Sequence, residues 1–170
     1  MHDITNRVLA EGALQESRDW LAGIARHLPD AMFAIDRKGV VTTWNLAMEE
    51  LTGVPAEEML GKGNYEYALP FYGKRTPMLV DKVLKPGETL RNRYRSVTYA
   101  EGNDITAETV ISPKGGYSPR IWRMKAAPFY DKRGEVVGAI ESIRDITEQR
   151  RGEEILKKEK TFTSTALETL

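Results

Sequence analysis

The 170-residue sequence predicts an α+β domain built on an antiparallel sheet. Two β-prone runs joined by a tight turn come first, short helical segments follow, and three further β-prone runs come last. A doubly wound nucleotide-binding fold would instead alternate strands and helices along the chain. The order of the segments therefore favours the α+β class.

A long amphipathic helix is predicted over residues 4–28. This stretch contains no proline, and Leu14, Leu21 and Leu28 recur every seven residues, with Ile24 three residues after Leu21. The residue after Leu28 is a proline, which pushes the preceding residue out of the helical region and ends the helix. An apolar stripe needs a covering surface, either the chain's own domain or a second copy of the helix. We take these four residues as candidate dimer contacts.

Two β-hairpins are predicted, over residues 31–44 and 120–146. Each joins its strands through an Asp-x-x-Gly turn, in which glycine tolerates the positive φ that a tight reversal needs. A further strand is predicted over residues 105–112, where β-branched residues precede a turn-forming Pro-Lys-Gly-Gly sequence at 113–116.

Short helices are predicted between the hairpins. Asn45 is a favourable N-cap for a helix over residues 46–51, and a glycine follows its end. Thr76, followed by proline, predicts the N-cap of a second helix over residues 78–84.

The last strand is predicted to run almost directly into a charged exit helix over residues 148–160. Asp145 can cap this helix, and Glu148 stands in the capping-box position three residues later. The segment 161–170 is interpreted as the beginning of a connection to a further domain.

Composition excludes several classes of function. Lys and Arg number 25, as do Asp and Glu, and this neutral balance argues against an electrostatic grip on nucleic acid or on an anionic membrane. The absence of cysteine excludes disulfides, thiolate metal sites, cysteine nucleophiles and cysteinyl-flavin photochemistry. No secretory signal or membrane-span pattern is present, so a cytoplasmic fragment without membrane contact is expected.

Four segments in a fixed order carry a family resemblance. They are Leu28-Pro29-Asp30-Ala31-Met32-Phe33-Ala34-Ile35-Asp36, Trp44-Asn45 through Leu51-Thr52-Gly53, Ala127-Pro128-Phe129-Tyr130-Asp131 with Gly134 and Val137-Gly138, and Arg144-Asp145-Ile146-Thr147-Glu148. Together they resemble PAS sensor domains, and the last resembles the Asp-Ile-Thr exit (PAC) motif of that family. Residues 63–77 and 139–144 further resemble PAS domains of prokaryotic multi-domain sensor histidine kinases and related signalling proteins, which work in two-component systems.

The resemblance implies a PAS fold with a five-stranded antiparallel sheet, helices on one face and a pocket that holds a small molecule in some members. It implies three parts: an amphipathic helical extension over residues 1–27, the PAS domain over 28–147, and a signalling helix over 148–170 that leads to an output domain. Asp145, Ile146 and Thr147 would then relay the signal into that helix.

Cofactor and catalytic chemistry find little support in the sequence. The two histidines, His2 and His27, lie outside the segment where haem-binding PAS domains usually carry their axial ligand, so haem is not expected. No metal-binding motif and no constellation of nucleophile and base occurs, which predicts a chain that is not an enzyme. The identity of any cofactor stays open.

Aromatic and apolar side chains provide the candidate ligand contacts. A period of two along residues 120–129 places Trp122 and Met124 on one face of the strand, whereas the polarity of residues 136–143 does not fix which face is inward. Each candidate could instead be ordinary core. Glu141 is expected to pair across strands with Arg123 or Lys125. The candidate pocket residues are Trp44, Tyr65, Tyr67, Met78, Trp122, Met124 and Ile140.

The sequence thus leads to one preferred function and two alternatives. The preferred function is a homodimeric sensory module that binds a small molecule and transmits the change to an output domain of the same polypeptide. The first alternative is a ligand-free dimerisation and spacer domain whose pocket is filled by its own side chains. The second is a redox sensor that holds a flavin noncovalently, for which Trp44 is the only indication.

Overall fold

The computed structural model describes residues 2–90, 93–112 and 118–169. The chain divides into two compact units, Met1–Thr76 and Pro77–Leu170. In the described residues six strands are present, two in the first unit and four in the second, and their pairings within each unit are antiparallel. The α+β class is therefore confirmed, with one strand more than the resemblance implied.

The first unit begins with a long helix and continues with a hairpin and small helices. Its elements are α1 (His2–His27), β1 (Ala31–Asp36), β2 (Val41–Trp44), α2 (Leu46–Thr52), α3 (Ala56–Met59), a 3-10 turn (Glu66–Ala68) and α4 (Leu69–Tyr72). The predicted first hairpin is confirmed: Phe33 pairs with Trp44, Ala34 with Thr43, and Gly39 closes the turn at φ 79°.

Asn45 organises the start of α2, as predicted. Its side-chain oxygen accepts from the backbone N–H of Met48 at 3.0 Å and from that of Met32 at 3.0 Å. Its amide nitrogen donates to the carbonyl of Asp30 at 2.8 Å. Gly53 ends the helix in the left-handed conformation that a C-cap favours.

The second unit contains one short helix, four strands and a long C-terminal helix. Its elements are α5 (Leu79–Leu84), β3 (Ser96–Tyr99), a 3-10 turn (Glu101–Asn103), β4 (Ile105–Ile111), β5 (Arg120–Tyr130), β6 (Val136–Asp145) and α6 (Thr147–Glu168). The strand order is β6-β5-β4-β3. The predicted second hairpin is confirmed, and the predicted turn at 113–116 lies outside the described residues.

Three details of the second unit differ from expectation. The strand β3 was not predicted, because all four of its residues are exposed and give no buried alternation. Thr76 is not the N-cap of α5: the helix begins at Leu79, and the carboxylate of Asp81 accepts from the backbone N–H of Met78 at 2.8 Å. The exit helix does not end near residue 160 but continues to Glu168.

One face of the second unit's strands is buried and apolar. Met124 on β5 stands opposite Ala107 on β4 and opposite Ile143 on β6, and all three are buried. The helix α5 packs against this part of the unit with buried Leu79 and Val80. Within the described residues, no helix has the length and apolar character needed to cross a membrane.

Candidate functional site

The aromatic candidates of the first unit form a cluster around Phe33. The ring of Phe33 lies 5.8 Å from that of Trp44 and 5.0 Å from that of Tyr67, and all three residues are buried. The indole N–H of Trp44 donates to the carbonyl of Val54 at 3.0 Å. The polar group of Trp44 is therefore already used by the protein, as expected for a core tryptophan.

Tyr65 holds an unusual backbone conformation beside this cluster. Its φ is 57°, and that of the preceding Asn64 is 53°, in the left-handed region that bulky side chains rarely adopt. Arg75 supports the segment, since its guanidinium donates to the carbonyl of Asn64 at 3.0 Å and pairs with Glu66. The ring of Tyr65 meets that of Tyr67 edge-on at 6.3 Å. Strain of this kind is often found at functional sites.

The candidates of the second unit fall on two faces. Met124 is fully buried, and Trp122, two residues earlier on β5, shares its face and is half-buried. Met78, immediately before α5, is also fully buried. Ile140 lies opposite Ala127, one residue out of phase with Met124, and is half-buried on the other face. The structure therefore does not bring Ile140 together with Met124.

A buried carboxyl group lies on the apolar face of β6. Glu141 is 0% exposed and pairs in register with Ala126. Its Oε2 accepts from the backbone N–H of Val80 at 2.9 Å, in the first turn of α5, while its Oε1 has no hydrogen-bond partner in the described residues. Burial, together with the nearby charge of Asp81, raises the pKa of Glu141 to about 8, against the opposing effect of the Val80 N–H.

The expected cross-strand pairing of Glu141 is wrong. Arg123 pairs with Glu108 at 3.0 Å, and Lys125 lies 3.7 Å from Asp104, because both cations occupy the opposite face of β5. In the structure Glu141 alternates with the buried residues Ala139 and Ile143, so its carboxyl lies in a buried row that the mixed polarity of residues 136–143 does not reveal.

The predicted relay residues form a compact junction between β5, β6 and α6. Oδ1 of Asp145 accepts from the backbone N–H of Thr147 at 2.9 Å and from its hydroxyl at 2.6 Å. The Thr147 hydroxyl oxygen in turn accepts from the backbone N–H of Ile121 at 2.9 Å. Between them, Ile146 is 1% exposed and its N–H donates to the carbonyl of Ile121 at 2.9 Å.

Arg120 completes the junction from β5. Its guanidinium lies 2.6 Å from Oδ2 of Asp145. Partial burial would raise the pKa of Asp145, but the hydrogen bonds from Thr147 and from Arg120 outweigh it and hold the pKa below its usual value. The carboxylate stays ionised and links the end of the sheet to the first turn of α6.

A second ionic contact braces α6 one turn later. Arg150 lies 2.6 Å from Oε1 of Glu108 on β4, and the same oxygen is 3.0 Å from Arg123 on β5. Burial opposes ionisation of Glu108, but hydrogen bonds from Arg150 and Arg123 lower its pKa overall. No local sequence pattern predicts this cluster, because its three members are more than a dozen residues apart and only the strand register brings them together.

The candidate dimer residues lie on an uncovered stripe of α1 and its end. Leu14, Leu21, Ile24 and Leu28 are 52%, 56%, 42% and 40% exposed. Exposed apolar side chains also occur on α6, at Ile155, Leu156, Phe162 and Leu167. The end of α1 is fixed to α2 through Arg26 and Glu49, 3.1 Å apart.

Metal chemistry has no candidate site in the part of the chain that the structure describes. No group of three or more His, Cys, Asp or Glu side chains gathers there in an arrangement that could hold an ion.

Comparisons with known proteins identify the family to which this architecture corresponds. A family model described as the PAS fold matches residues 25–151. No curated protein matches the chain.

Three solved structures are similar to this chain. The PAS domain of BvgS from Bordetella pertussis is 23% identical, with a TM-score of 0.55 over 88% of this chain and 98% of that one. An RNA-binding light-oxygen-voltage receptor is 18% identical, with a TM-score of 0.55 over 85% of this chain, which spans 37% of that receptor. The phage VqmA–DPO complex is 19% identical, with a TM-score of 0.51 over 89% and 62% of the two chains. At these identities the likeness concerns the fold.

Proposed function

The chain belongs to the PAS fold family, and on that premise we propose that it is a sensory signal-relay module. The stimulus changes the PAS domain, either through a small molecule or through dimerisation. The change passes through Asp145, Ile146 and Thr147 into α6 and on to an output domain in the same polypeptide. A sensor histidine kinase of a two-component system is the context we propose for it, in the cytoplasm, with no catalytic step in this segment.

The junction between the sheet and α6 is the observation that supports this proposal. Thr147 begins α6, and its hydroxyl accepts a hydrogen bond from β5 while donating one to Asp145 at the end of β6. A shift between these two strands therefore changes the geometry of the first turn of α6. Because Ile146 and Thr147 are buried, the turn cannot reorient without disturbing the sheet.

The relay is a shift between two states of this junction. A stimulus moves the equilibrium only by the difference in its affinity for the two states. A change from 1:99 to 99:1 requires a preference of about 10⁴-fold. The junction is suited to a two-state relay, because its several short hydrogen bonds are formed in one state and broken in the other.

Ligand contacts and dimer contacts are part of the same proposal. In the first unit we propose Trp44, Tyr65 and Tyr67 as ligand-facing residues, with strained Tyr65 foremost. In the second unit we propose Met78, Trp122 and Met124, which share an apolar surround. For the dimer we propose the α1 stripe of Leu14, Leu21, Ile24 and Leu28, since its side chains are exposed although apolar.

Replacing Asp145 tests the relay. In a polypeptide that carries an output domain after this segment, Asp145→Ala should abolish the response of the output to the stimulus while the domain remains folded. Glu148→Ala is the matched control and should respond normally, because Glu148 is exposed and the capping box predicted for it does not form: Ile146 is the N-cap of α6 and makes no side-chain cap hydrogen bond. An unchanged response in folded Asp145→Ala would refute the relay.

Native mass spectrometry distinguishes a ligand-binding sensor from a ligand-free relay. A reproducible extra mass per protomer supports a ligand, and its value identifies a flavin or another molecule. A dimer without extra mass supports the ligand-free relay instead. Ligand addition at about a hundredfold over its Kd should then stabilise the fold by roughly 2.7 kcal/mol.

A further inference from the structure

Glu141 is an unusual occupant of an apolar sheet face. Its side chain is fully buried, and Oε1 finds neither a donor nor an acceptor in the described residues. An ionised carboxylate in such a place would carry a large desolvation penalty, whereas a protonated carboxyl leaves only one polar group unsatisfied. The enclosed geometry therefore suits the neutral acid.

The charged surroundings of Glu141 point in the same direction. On its face of the unit, β5 contributes Trp122, Met124 and Ala126, and β4 contributes no titratable residue. From α5, the nearby charge of Asp81 disfavours a second negative charge on Glu141. No lysine, arginine or histidine forms an ion pair with Glu141 in the described part of the unit.

Among the described residues, the one hydrogen bond of the Glu141 side chain leads to α5. The backbone N–H of Val80 donates to Oε2 at 2.9 Å, between positions 61 residues apart in the chain. The helix is only six residues long, and its Lys82 donates to the carbonyl of Glu88 in the loop that follows. Leu79, Val80 and Val83 of this helix are buried against the strands, so release of the helix exposes them and needs the free energy that ionisation of Glu141 supplies.

We infer that Glu141 is a proton-operated latch, which holds α5 on the sheet while its carboxyl is protonated and releases the helix when it ionises. Loss of the proton turns the buried neutral acid into a carboxylate facing Asp81, and departure of α5 gives that carboxylate access to water. Proton concentration thereby becomes a stimulus. As an input to the output domain, this latch rests on the proposed function.

The difference between the pKa of Glu141 in the open and closed states fixes the direction and the pH range over which α5 opens. In the open state Glu141 is solvated and its pKa is the ordinary glutamate value of about 4.5, whereas in the closed state burial raises its pKa to about 8. Opening of α5 should therefore increase about tenfold per pH unit between these two values and level off above about pH 8. One proton is released for each helix that opens.

Hydrogen exchange of the α5 amides, corrected for the intrinsic dependence of exchange on pH, tests the latch. In the unmodified chain, the opening equilibrium reported by the amides of Val83 and Leu84 should rise about tenfold per pH unit between about pH 6 and pH 8. Glu141→Gln, which keeps the shape without the charge, should be flat. Glu148→Gln, an exposed change, should behave as the unmodified chain.

Two results would overturn the latch. One is an α5 opening that is independent of pH, or that keeps its pH dependence in Glu141→Gln. The other is an opening free energy of the α5 amides equal to that of the β5 amides at every pH, because this would show that α5 opens only when the whole domain unfolds. If Glu141→Gln fails to fold, the test is the infrared carbonyl band of a protonated carboxyl in the unmodified chain. Loss of this band near pH 8 supports the latch. Absence of the band at pH 6 refutes the latch. None of these readouts uses the output, so failure of the latch leaves the relay standing.

Discussion

At the residue scale, the buried amide of Asn45 joins three parts of the first unit. Its oxygen accepts two backbone N–H groups, one from β1 and one from α2, and its nitrogen donates to the segment between α1 and β1. Asn45 itself is 0% exposed. Neither aspartate nor alanine can reproduce both functions, because aspartate lacks the donor and alanine lacks both groups.

Asn45→Ala should lower the free energy of unfolding by about 3 kcal/mol. The loss combines a helix N-cap, worth about 1 kcal/mol, with buried backbone groups left unpaired. Chemical denaturation measures it. Asn6→Ala, at an exposed position of α1, is the matched control and should change stability by less than about 0.5 kcal/mol. An equal effect of the two substitutions would contradict the role of Asn45.

Glu141 should make the global stability fall as the pH rises. The unfolded chain ionises Glu141 near pH 4.5, whereas the folded chain keeps the proton up to about pH 8. Its stabilising contribution is therefore complete below the lower value and is lost progressively up to the higher one. Relative to Glu141→Gln, the unmodified chain should lose on the order of 3 kcal/mol between about pH 5 and pH 8, measured by denaturation. If the free energies of unfolding of the unmodified chain and of Glu141→Gln changed with pH in parallel, Glu141 would not be a buried neutral acid in the folded chain.

At the element scale, the contact of α6 with the sheet continues for a full turn beyond the junction. Arg150 on α6 shares the carboxylate of Glu108 with Arg123, so one residue of β4 is tied both to β5 and to the helix. The next pair, Arg150 and Glu153, lies within the helix at 3.0 Å. The beginning of α6 is therefore fixed to the strands, while its later part is exposed.

A double-mutant cycle of Glu108→Gln and Arg150→Gln, measured by chemical denaturation, should give a small stabilising coupling between the two side chains. The value is small because the side chain of Arg150 is 36% exposed, and it should shrink at high salt. Since the pKa of Glu108 is lowered in the fold, its contribution is present above about pH 4.5 and is lost as the pH falls below that value. A coupling of zero at low salt would show that the contact does not hold the helix.

The elements that the sequence predicted correctly are those with local signals. The hairpin of β1 and β2 follows from its turn, and α2 follows from Asn45 and Gly53, because these residues act on their immediate neighbours. The start of α5 was misplaced because Asp81 reaches back over three residues and replaces the expected cap. The strand β3 exists through its register with β4, and its own residues carry no buried pattern.

Residues of the candidate site were likewise predictable only where a local sequence signal identifies them. Asp145 and Thr147 were identified from a motif adjacent in sequence, and the structure brings them together. The burial of Glu141 depends on which face of β6 is inward, and mixed polarity along the strand hides that choice. The same ambiguity affects Ile140, which lies out of phase with the buried row and so does not share a face with Met124.

At the scale of the whole molecule, the apolar stripe of α1 should drive self-association. Leu21→Glu combined with Ile24→Glu should convert a dimer into a monomer, since both side chains are exposed and apolar and two charges would be buried in the contact. Light scattering coupled to size exclusion measures the mass. Arg18→Glu, also on α1 and exposed, is the charge-changing control and should leave the dimer intact. A monomer in the unmodified chain would refute this interface.

The relay requires that the sheet and the start of α6 open together. Three amides report on this directly: the N–H of Ile121 donates to the Thr147 hydroxyl, that of Ile146 donates to the Ile121 carbonyl, and that of Arg150 donates to the Ile146 carbonyl. If the junction is one cooperative unit, these amides share one opening free energy. The carboxylate of Asp145 should then stabilise all three, although the hydrogen bonds that its Oδ1 accepts come from Thr147 and not from these amides.

Native-state hydrogen exchange of Ile121, Ile146 and Arg150 in the unmodified chain and in Asp145→Ala is the most direct test, with Glu148→Ala as the control. We expect equal protection of the three amides in the unmodified chain and a common loss of about tenfold or more in Asp145→Ala, because the carboxylate makes two charge-assisted hydrogen bonds to Thr147. Faster exchange of Arg150 alone, with Ile121 unchanged by the substitution, would show that α6 frays independently of the sheet and would contradict the relay.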